Sequence, residues 1–324
     1  MKKNIAVIGA GQLGSRHLQS LAALNQETYS VTVFDTQEAS LKIAKERYEA
    51  VNQDSSPTPI FTNHFNEIPS ELFVAIIATS SGVRRKVVEN LLDTCEVKYL
   101  ILEKFLFPEI ADYQAVRERI NQKHVTTYVN TPRRAFDFYR SIQNILKQPF
   151  HMEVTGSQWG LGCNTIHFLD LFYFLNHGTK LEVNSELDDE IIPSKRAGYI
   201  EFTGSFYIRD AKNNTCHITS FKDGVLPASI AITDSEGRYI FHESMGEKWS
   251  YVKENGKYTY QKETIRAPFQ SESTSKLILD LEKTGQCHIA PYEESAYLHI
   301  KLLEKYLEHY SKYTKEKQES CPIT

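Results

Sequence analysis

The stretch KNIAVIGAGQLGSRHLQSL, residues 3–21, decides the fold of the N-terminal part of the chain. It opens with a short apolar run typical of a strand, passes through GAGQLG at residues 9–14, and continues as a helical pattern from Gln12 to about Leu24. A glycine-rich turn between a strand and a helix is typical of the first unit of a doubly wound α/β fold. The sequence therefore predicts an N-terminal α/β domain.

The alternation of strand and helix continues along the chain. Further apolar, β-like runs occupy residues 29–35, 72–81, 98–104 and 124–130. Each of them is followed by a helical pattern or by a domain boundary. Strands separated by helices form βαβ units with a parallel sheet. We therefore expect a Rossmann-type doubly wound parallel sheet over residues 1–130.

The sequence changes character after the last of these runs. Helical patterns around residues 135–147 and 163–176 precede longer runs rich in Thr, Tyr and Phe, separated by short turns. Asn255-Gly256, between two tyrosine-rich runs, predicts a hairpin. Residues 131–324 are therefore expected to form an α+β domain with an antiparallel or mixed sheet.

Composition and charge exclude several classes of protein. The 324 residues have a formal net charge of −4 and 41% hydrophobic residues, which is ordinary for a globular protein and gives no basic field for nucleic acid or an anionic membrane. The sequence contains no run of about 18 apolar residues, so no membrane span is expected. The five cysteines are odd in number, and Cys216-His217 and Cys287-His288 lack metal-ligand spacing. We expect reduced thiols, no metal and a cytoplasmic location.

The glycine-rich turn predicts a dinucleotide site, because its backbone can approach a pyrophosphate at a helix N-terminus. The predicted phosphate contacts are Gly9, Gly11, Gln12, Leu13 and Gly14. Asp35 ends the second strand, where a carboxylate bonds the adenosine ribose hydroxyls, and no arginine follows for a 2′-phosphate. This favours NAD over NADP. The alternative is a glycine turn in a domain without a phosphate ligand.

Two further strand ends would face the same ligand, because ligands of open α/β sheets lie beyond the carboxyl ends of the strands. Thr79 and Ser80 follow the most apolar strand, and their small side chains would let a cofactor approach the backbone. Glu103 and Lys104 follow the next strand. We expect this pair to face solvent or ligand, since burying an unpaired charge is costly; an ordinary strand-end ion pair is the alternative.

Taken together, these motifs resemble the Gfo/Idh/MocA family, which includes glucose–fructose oxidoreductase and inositol dehydrogenase. The resemblance rests on GAGQLGSRH at 9–17, ATSS at 78–81, Glu103-Lys104, NTPRR at 130–134, His167-x-x-Asp170 and the segment 268–307. It covers most of the chain. It implies an NAD(P)-binding domain followed by an α+β domain whose large, open, mostly antiparallel sheet binds substrate and forms a homodimer or homotetramer.

The resemblance also implies catalytic roles. The family's Glu-Lys-Pro motif maps onto Glu103-Lys104-Phe105, which places Lys104 near the nicotinamide and the substrate oxygen and leaves Phe105 in place of proline. The family's Asp-x-x-x-His motif maps onto CNTIH, with Cys163 in place of aspartate and His167 retained. Oxidation of an alcohol needs a base and a cation beside the developing alkoxide, and His167 and Lys104 would supply them.

Four residues are candidates for substrate contacts, each with a structural alternative. Asn164 offers a polar group next to Cys163, and Asp170 would orient the imidazole or bond sugar hydroxyls. Arg133, like its neighbour Arg134, would meet a phosphate, a carboxylate or the cofactor, or form an interdomain salt bridge. Trp159 would stack on a sugar ring or pack in the core.

The sequence therefore predicts an NAD-dependent oxidoreductase acting on a secondary alcohol or ketone of a sugar, a cyclitol or a nucleotide sugar. A nucleotide sugar is favoured because the arginine pair offers a diphosphate partner. Two alternatives stay open: a non-catalytic NAD-binding sensor or regulator of the same fold, and a reductase of a non-sugar substrate such as an imine or tetrapyrrole.

Overall fold

The computed structural model describes residues 2–254 and 256–324, which form two compact units. The first unit comprises residues 2–107, 111–130 and 268–293. The second unit comprises residues 108–110, 131–254, 256–267 and 294–324. The chain therefore leaves the first unit after its sixth strand and returns to it near residue 268.

Both units combine strands and helices. The strands of the described residues are β1 (Lys3–Ile8), β2 (Tyr29–Phe34), β3 (Ile60–Thr62), β4 (Glu71–Ile77), β5 (Glu96–Leu102), β6 (Thr126–Val129), β7 (His151–Ser157), β8 (Leu181–Leu187), β9 (Ile192–Pro193), β10 (Ile200–Glu201), β11 (Gly204–Asp210), β12 (Thr215–Phe221), β13 (Ser229–Thr233), β14 (Gly237–His242), β15 (Glu247–Glu254), β16 (Lys257–Thr264) and β17 (Ala290–Pro291). The helices are α1 (Gln12–Leu21), α2 (Glu38–Glu49), α3 (Ser81–Thr94), α4 (Ile110–Gln122), α5 (Asp137–Gln143), α6 (Leu161–Leu175), α7 (Gln270–Thr284) and α8 (Tyr292–Thr314).

The first unit is built on a seven-stranded sheet in the order β17-β6-β5-β4-β1-β2-β3. All neighbouring strands from β6 to β3 run parallel, which is the strand order of a doubly wound dinucleotide-binding domain. Leu100, Ile101 and Leu102 are fully buried, although successive side chains point to opposite faces of a sheet. Both faces of the sheet are therefore covered, and the predicted Rossmann fold is confirmed.

Residues 268–293 lie in the first unit, not in the second domain to which the sequence assigned them. Helix α7 packs against α1, where the Ser275 amide donates a hydrogen bond to the Ser20 hydroxyl (2.9 Å). Strand β17 then pairs antiparallel with β6, with Ala290 opposite Val129. The predicted boundary is wrong for this segment, because local patterning does not record which sheet a distant segment will join.

The second unit contains an eight-stranded sheet in the order β16-β15-β14-β13-β7-β12-β11-β8. Only the β7–β12 pair among its neighbours is parallel, so the sheet is mixed and mostly antiparallel, as predicted. Along β12, Cys216, Ile218 and Ser220 are buried and His217 is exposed. One face therefore packs on the interior of the unit, and the other is open.

The hairpin predicted from Asn255-Gly256 falls partly outside the described residues, because Asn255 is not among them. The flanking strands β15 and β16 pair antiparallel, with Tyr251 opposite Tyr260. The apolar helix α6 and the long helix α8 from Glu294 onward also belong to this unit. In the described part of the chain, no helix has both the length and the apolar character needed to cross a membrane.

Candidate functional site

The glycine-rich turn connects β1 to α1 at the carboxyl edge of the first sheet. Gly9 has φ +95°, and a Cβ there would lie 2.9 Å from the backbone nitrogen of Thr79. A Cβ on Gly14 would lie 1.7 Å from the Gly9 carbonyl oxygen, so glycine is required at both positions. A Cβ on Gly11 would meet nothing within 4 Å. The turn is thus packed tightly behind Gly9 and Gly14 and open in front of Gly11.

Helix α1 begins in this open space. Gly11 is its N-cap, no side chain caps it, and its first turn carries no acidic residue. Gln12 and Leu13 are exposed. The first amide N–H groups of a helix have no intrahelical partner and carry the positive end of the dipole. The predicted phosphate-binding residues are therefore brought together at a helix end suited to an anion.

Asp35 is fixed against the glycine-rich turn at the end of β2. Its Oδ2 accepts a hydrogen bond from the Ala10 amide (2.7 Å), and its Oδ1 accepts one from the Gln37 amide (2.8 Å). A carboxylate has about four acceptor positions, so these two bonds leave capacity for ribose hydroxyls. The structure places Asp35 beside the predicted phosphate site, and its contact with ribose stays a prediction.

Thr79 and Ser80 lie at the end of β4, next to Gly9. The Thr79 Oγ1 is buried and has no hydrogen-bond partner among the described residues. Buried hydroxyls are nearly always paired, so this orphan at the carboxyl edge of the sheet fits a ligand that carries hydrogen-bonding groups. Ser80 is the N-cap of α3, and its side chain does not cap that helix. These observations agree with a nicotinamide cofactor lying along this edge.

Glu103 is buried, which contradicts the prediction that it faces solvent or cofactor. Only 3% of it is exposed, and its Oε1 lies 2.8 Å from Nε2 of His17, which is itself fully buried. The Asn130 amide Nδ2 donates to the same oxygen (2.5 Å). Burial acts to raise the pKa of Glu103, but the hydrogen bond and charge of His17, the bond from Asn130 and the nearby Lys104 outweigh it and lower that pKa.

The reason for this error lies in the tertiary structure. The Glu103 amide still donates to the Ile77 carbonyl (3.0 Å), so the residue continues the edge of the sheet and its side chain turns inward. The expected cost of burying a carboxylate is offset by His17, which α1 brings to the same place. Glu103 is therefore a structural partner of α1 and no longer a candidate cofactor contact.

Lys104 is half-buried and directly follows Glu103. The Lys104–Phe105 peptide bond is cis, and Phe105 is fully buried. The guanidinium of Arg84, itself buried, donates to the Leu106 carbonyl (2.7 Å) and to the carbonyls of Phe105 and Thr79. One buried arginine of α3 thus holds the strand ends that carry Thr79 and Lys104.

In the second unit, α6 carries the other predicted catalytic residue. His167 is half-buried on this helix. Asn164, one turn earlier, donates from Nδ2 to the Trp159 carbonyl (2.7 Å), and the Glu201 carboxylate accepts a hydrogen bond from the Gly162 amide (2.7 Å) at the helix N-terminus. A carboxylate at this end stabilises the helix. The roles of His167 and Asn164 in chemistry stay predictions.

Trp159 is anchored within the same unit. Its indole Nε1 donates to the Thr219 carbonyl (3.1 Å), and its ring meets Phe168 edge-on with centroids 5.2 Å apart. The ring is half-buried. The packing alternative is therefore realised, while the contact with a sugar ring stays a prediction.

Asp170 is not available to a substrate or to the His167 ring. It is fully buried, and Arg134 binds both of its oxygens, Nε to Oδ2 at 2.8 Å and Nη2 to Oδ1 at 2.5 Å. Burial raises the pKa of Asp170, and the charge of Arg134 opposes that shift. The predicted substrate role is wrong, because Asp170 lies on the face of α6 that packs on the 3-10 turn Pro132–Ala135, which carries Arg134.

Arg133 is likewise engaged inside the second unit. Its Nε and Nη2 donate to Oε1 and Oε2 of Glu243 at 3.0 and 2.8 Å, and its guanidinium lies 4.3 Å from the centroid of the Phe168 ring. Arg134 also donates to Glu294 (2.7 Å). The expectation of an arginine pair waiting for a diphosphate is therefore wrong, since both guanidinium groups already bind carboxylates.

A separate cavity of about 640 Å³ lies at the opposite, amino edge of the first sheet. Lys3, Glu71, Phe73 and Lys98 are among the residues that line it, and both ammonium groups lie within 5.8 Å of the Phe73 ring centroid. Ligands of open parallel sheets bind at the carboxyl edge, so we assign this cavity no role in the site. Among the described residues, no three His, Cys, Asp or Glu side chains are grouped to hold a metal ion.

A comparison with known families identifies the domain that carries the glycine-rich turn. Residues 3–131 match the "Oxidoreductase family, NAD-binding Rossmann fold", which is Gfo/Idh/MocA. This part of the chain is therefore similar to the NAD-binding domain of that family. The matched range covers β1 to β6 and every predicted cofactor contact.

Several solved structures share the fold of nearly the whole chain. UDP-N-acetylglucosamine 3-dehydrogenase GnnA from Acidithiobacillus ferrooxidans superposes with a TM-score of 0.71 at 13% identity, covering 94% of this chain and 96% of that one. An oxidoreductase from Agrobacterium radiobacter, solved with NAD+, L-tartaric acid and magnesium, gives 0.71 at 14% identity, covering 94% and 95%. A super-repressor mutant of Gal80p from Saccharomyces cerevisiae gives 0.69 at 12% identity, covering 95% and 96%. No curated protein shows significant sequence similarity to the chain.

Two buried residues of the first unit were not predicted from the sequence. His17 was part of the quoted GAGQLGSRH string but was given no role, and Arg84 was not considered. Each lies on the buried face of its helix, beside Leu18 and Leu21 in α1 and in line with Val88 and Leu91 in α3. A polar residue at an apolar helical position was the available signal.

Proposed function

We propose that the protein is an NAD-dependent oxidoreductase that transfers a hydride between the nicotinamide and a secondary alcohol or ketone of a polyhydroxylated substrate: a sugar, a cyclitol or a nucleotide sugar. The observation that carries the proposal is the edge of the first sheet. There the open turn at Gly11, the orphan hydroxyl of Thr79 and the half-buried Lys104 lie at the carboxyl ends of β1, β4 and β5. The match of residues 3–131 to an NAD-binding oxidoreductase family supports the same class of reaction.

The residues divide the work in the following way. NAD, when bound, supplies the hydride acceptor. The ammonium of Lys104 stabilises negative charge that develops on the substrate oxygen, and His167 exchanges the proton of the hydroxyl. Histidine suits this step because its ordinary pKa lies near neutrality. The N–H groups at the start of α1 bind the cofactor phosphates.

The preference for NAD over NADP is part of the proposal. Asp35 lies beside the phosphate-binding turn, and Thr36, Gln37 and Glu38 follow it. Two carboxylates here would repel a 2′-phosphate, whereas Asp35 can accept hydrogen bonds from ribose hydroxyls.

The proposed substrate class includes sugars with and without a nucleotide. The ion pairs of Arg133 and Arg134 remove the reason for favouring a diphosphate-linked sugar. GnnA, one of the proteins with this fold, is a UDP-N-acetylglucosamine 3-dehydrogenase, which keeps nucleotide sugars within the proposed class. Sugars, cyclitols and nucleotide sugars are therefore all included in the substrate screen, and none is favoured.

Assembly and location complete the proposal. The open face of the eight-stranded sheet exposes Tyr207, His217, Tyr251 and Tyr260, and a second copy of the chain would cover it to form a homodimer or homotetramer. Five free cysteines support a reducing, cytoplasmic location.

A non-catalytic regulator is the second candidate. The similarity to Gal80p, described as a super-repressor mutant, and the replacements at Phe105 and Cys163 favour it. Such a protein would bind cofactor and would not turn over any substrate. The replacement His167→Asn separates the two candidates, because only an enzyme has turnover to lose.

Ligand-dependent thermal unfolding tests the proposal. NAD or NADH is expected to raise the unfolding midpoint, and NADP or NADPH to raise it less, because a ligand that binds the native state alone stabilises it. Substrates from the proposed class are then screened for NADH formation. Failure of every nicotinamide cofactor to shift the midpoint would refute the proposal, and cofactor binding without turnover would favour the regulator.

A further inference from the structure

The interior of the first unit contains a buried polar network that connects α1, α7 and the ends of β5 and β6. The imidazole of His17, on α1, lies 2.8 Å from Glu103 on one side and 2.8 Å from the Thr274 hydroxyl of α7 on the other. Asn130, after β6, donates to Glu103 (2.5 Å) and to Gln270 (2.7 Å). His17 and Thr274 are fully buried, and Glu103 is almost so. Such networks fix geometry when every member is satisfied.

The network ends at the residue before Lys104. Because the Glu103 side chain is held by His17 and Asn130, the backbone from which Lys104 departs is held as well. On its other side, the carbonyls of Phe105 and Leu106 accept hydrogen bonds from Arg84. Lys104 thus stands between two anchored residues, and the Glu103 carboxylate attracts its ammonium.

The same helix α1 serves the other end of the site. It begins at the open turn that binds the phosphates and reaches Glu103 through His17, somewhat more than one turn later. A helix is rigid over this distance, so the phosphate-binding N–H groups and the Glu103 contact keep a fixed spacing.

We propose that His17 is a positioning residue: by holding Glu103, it fixes Lys104 relative to the phosphate-binding end of α1. The inference rests on the proposed function only for the catalytic role given to Lys104. It requires that the hydrogen bond between His17 and Glu103 affects the position of Lys104 independently of the packing of α1 on α7.

Two amide replacements of His17 separate these possibilities. The amide nitrogen of glutamine reaches the position of Nε2, which faces Glu103, whereas that of asparagine reaches the position of Nδ1, which faces Thr274. His17→Gln therefore retains a donor to Glu103 and His17→Asn loses it. Ser20→Ala is the matched control, because it removes two hydrogen bonds between α1 and α7 that do not lead to Glu103.

The readout is the rate at which acetic anhydride labels Lys104, measured by mass spectrometry relative to the exposed Lys2 and Lys123. In His17→Asn the loosened carboxylate attracts the ammonium less, so the relative rate is expected to rise about threefold or more. In His17→Gln and Ser20→Ala the rate is expected to stay within about 1.5-fold of the original protein. Glu103→Gln should reproduce the rise, and it replaces His17→Asn if that variant fails to fold.

A lowered unfolding midpoint in His17→Asn with unchanged labelling of Lys104 would overturn the inference, as would equal labelling in both His17 variants. The labelling needs no substrate, so it is independent of the proposed reaction. Full turnover in Lys104→Met would refute the role of Lys104 in the proposed function without affecting the labelling result. Once a substrate is known, His17→Asn should lower kcat while the Kd for NADH changes less than about twofold.

Discussion

The guanidinium of Arg134 binds both carboxylate oxygens of Asp170 in the interior of the second unit. Asp170 lies one turn after His167 on α6, so this ion pair holds the helix that carries the proposed proton-exchange residue. Glu294 of α8 binds the outer side of the same guanidinium. The arrangement explains why a carboxylate on an apolar helix is retained although it touches no ligand.

Asp170→Asn is therefore expected to destabilise the second unit strongly. Removing the buried partner leaves Arg134 with only the half-exposed carboxylate of Glu294, and breaking a buried ion pair costs about 3–5 kcal/mol. Denaturant unfolding measures this difference. The control is Glu294→Gln, which removes the half-exposed partner and should cost less than about 1 kcal/mol. Equal losses in the two variants would contradict a dominant role for the buried pair.

Gly11 and Gly14 are expected to respond in opposite ways to replacement by alanine. A Cβ on Gly14 would lie 1.7 Å from the Gly9 carbonyl oxygen, so Gly14→Ala should prevent the native packing of α1 on β1. A Cβ on Gly11 meets nothing within 4 Å, so Gly11→Ala should fold with an unchanged unfolding midpoint. It should weaken NADH binding about tenfold, because the methyl group enters the space of the pyrophosphate.

Fluorescence titration with NADH measures the effect in Gly11→Ala, and circular dichroism reports the folding of both variants. Unchanged NADH affinity in Gly11→Ala would place the phosphates elsewhere.

Thr79→Val tests the orphan hydroxyl. Valine has the shape of threonine without its polar group, and Thr79 Oγ1 has no partner among the described residues. The variant should be as stable as the original protein or more stable, by up to about 1 kcal/mol. NADH affinity should fall about fivefold if the hydroxyl bonds the cofactor. Ser80→Ala, at the neighbouring position, is the comparison. A stable Thr79→Val that binds NADH as before would exclude the hydroxyl from the site.

The stability of the protein in acid should depend on the charge of the buried Glu103 carboxylate. Its pKa is lowered in the folded state, so the folded protein holds fewer protons on this group than the unfolded chain does. The stabilisation is fully present above the ordinary pKa of 4.5 and is lost as the pH falls through the lower folded value. The groups that lower the pKa of Glu103 are His17 and Asn130, through hydrogen bonds, and the charges of His17 and Lys104.

The measurement compares the unfolding midpoints of the original protein and Glu103→Gln between about pH 3 and pH 7. The variant should be less stable at neutral pH and should converge with the original protein in acid. Other carboxylates with a lowered pKa, such as Glu247 and Glu282, titrate in both proteins and cancel in the comparison. Parallel curves would contradict the assignment of a charged Glu103.

Most of the first unit could be read from local sequence. The apolar runs at β1, β2, β4, β5 and β6 and the glycine-rich turn specify a Rossmann fold, because strand periodicity and turn chemistry are local properties. Strand β3 is only three residues long, and β7 and β8 carry mixed sequences, so the local signal was too weak to predict them.

The sequence by itself determined the class of the fold, the glycine-rich turn with Gly9 and Gly14, and the end of β5 at Leu102. Each depends on side chains close together along the chain. Only the tertiary structure decided where the charged side chains lie. Glu103 is buried beside His17, and Asp170 is buried beside Arg134. A charged side chain is buried without a large cost only beside a partner that compensates its charge. These partners lie on helices and turns that are distant in sequence, so no local pattern predicts them.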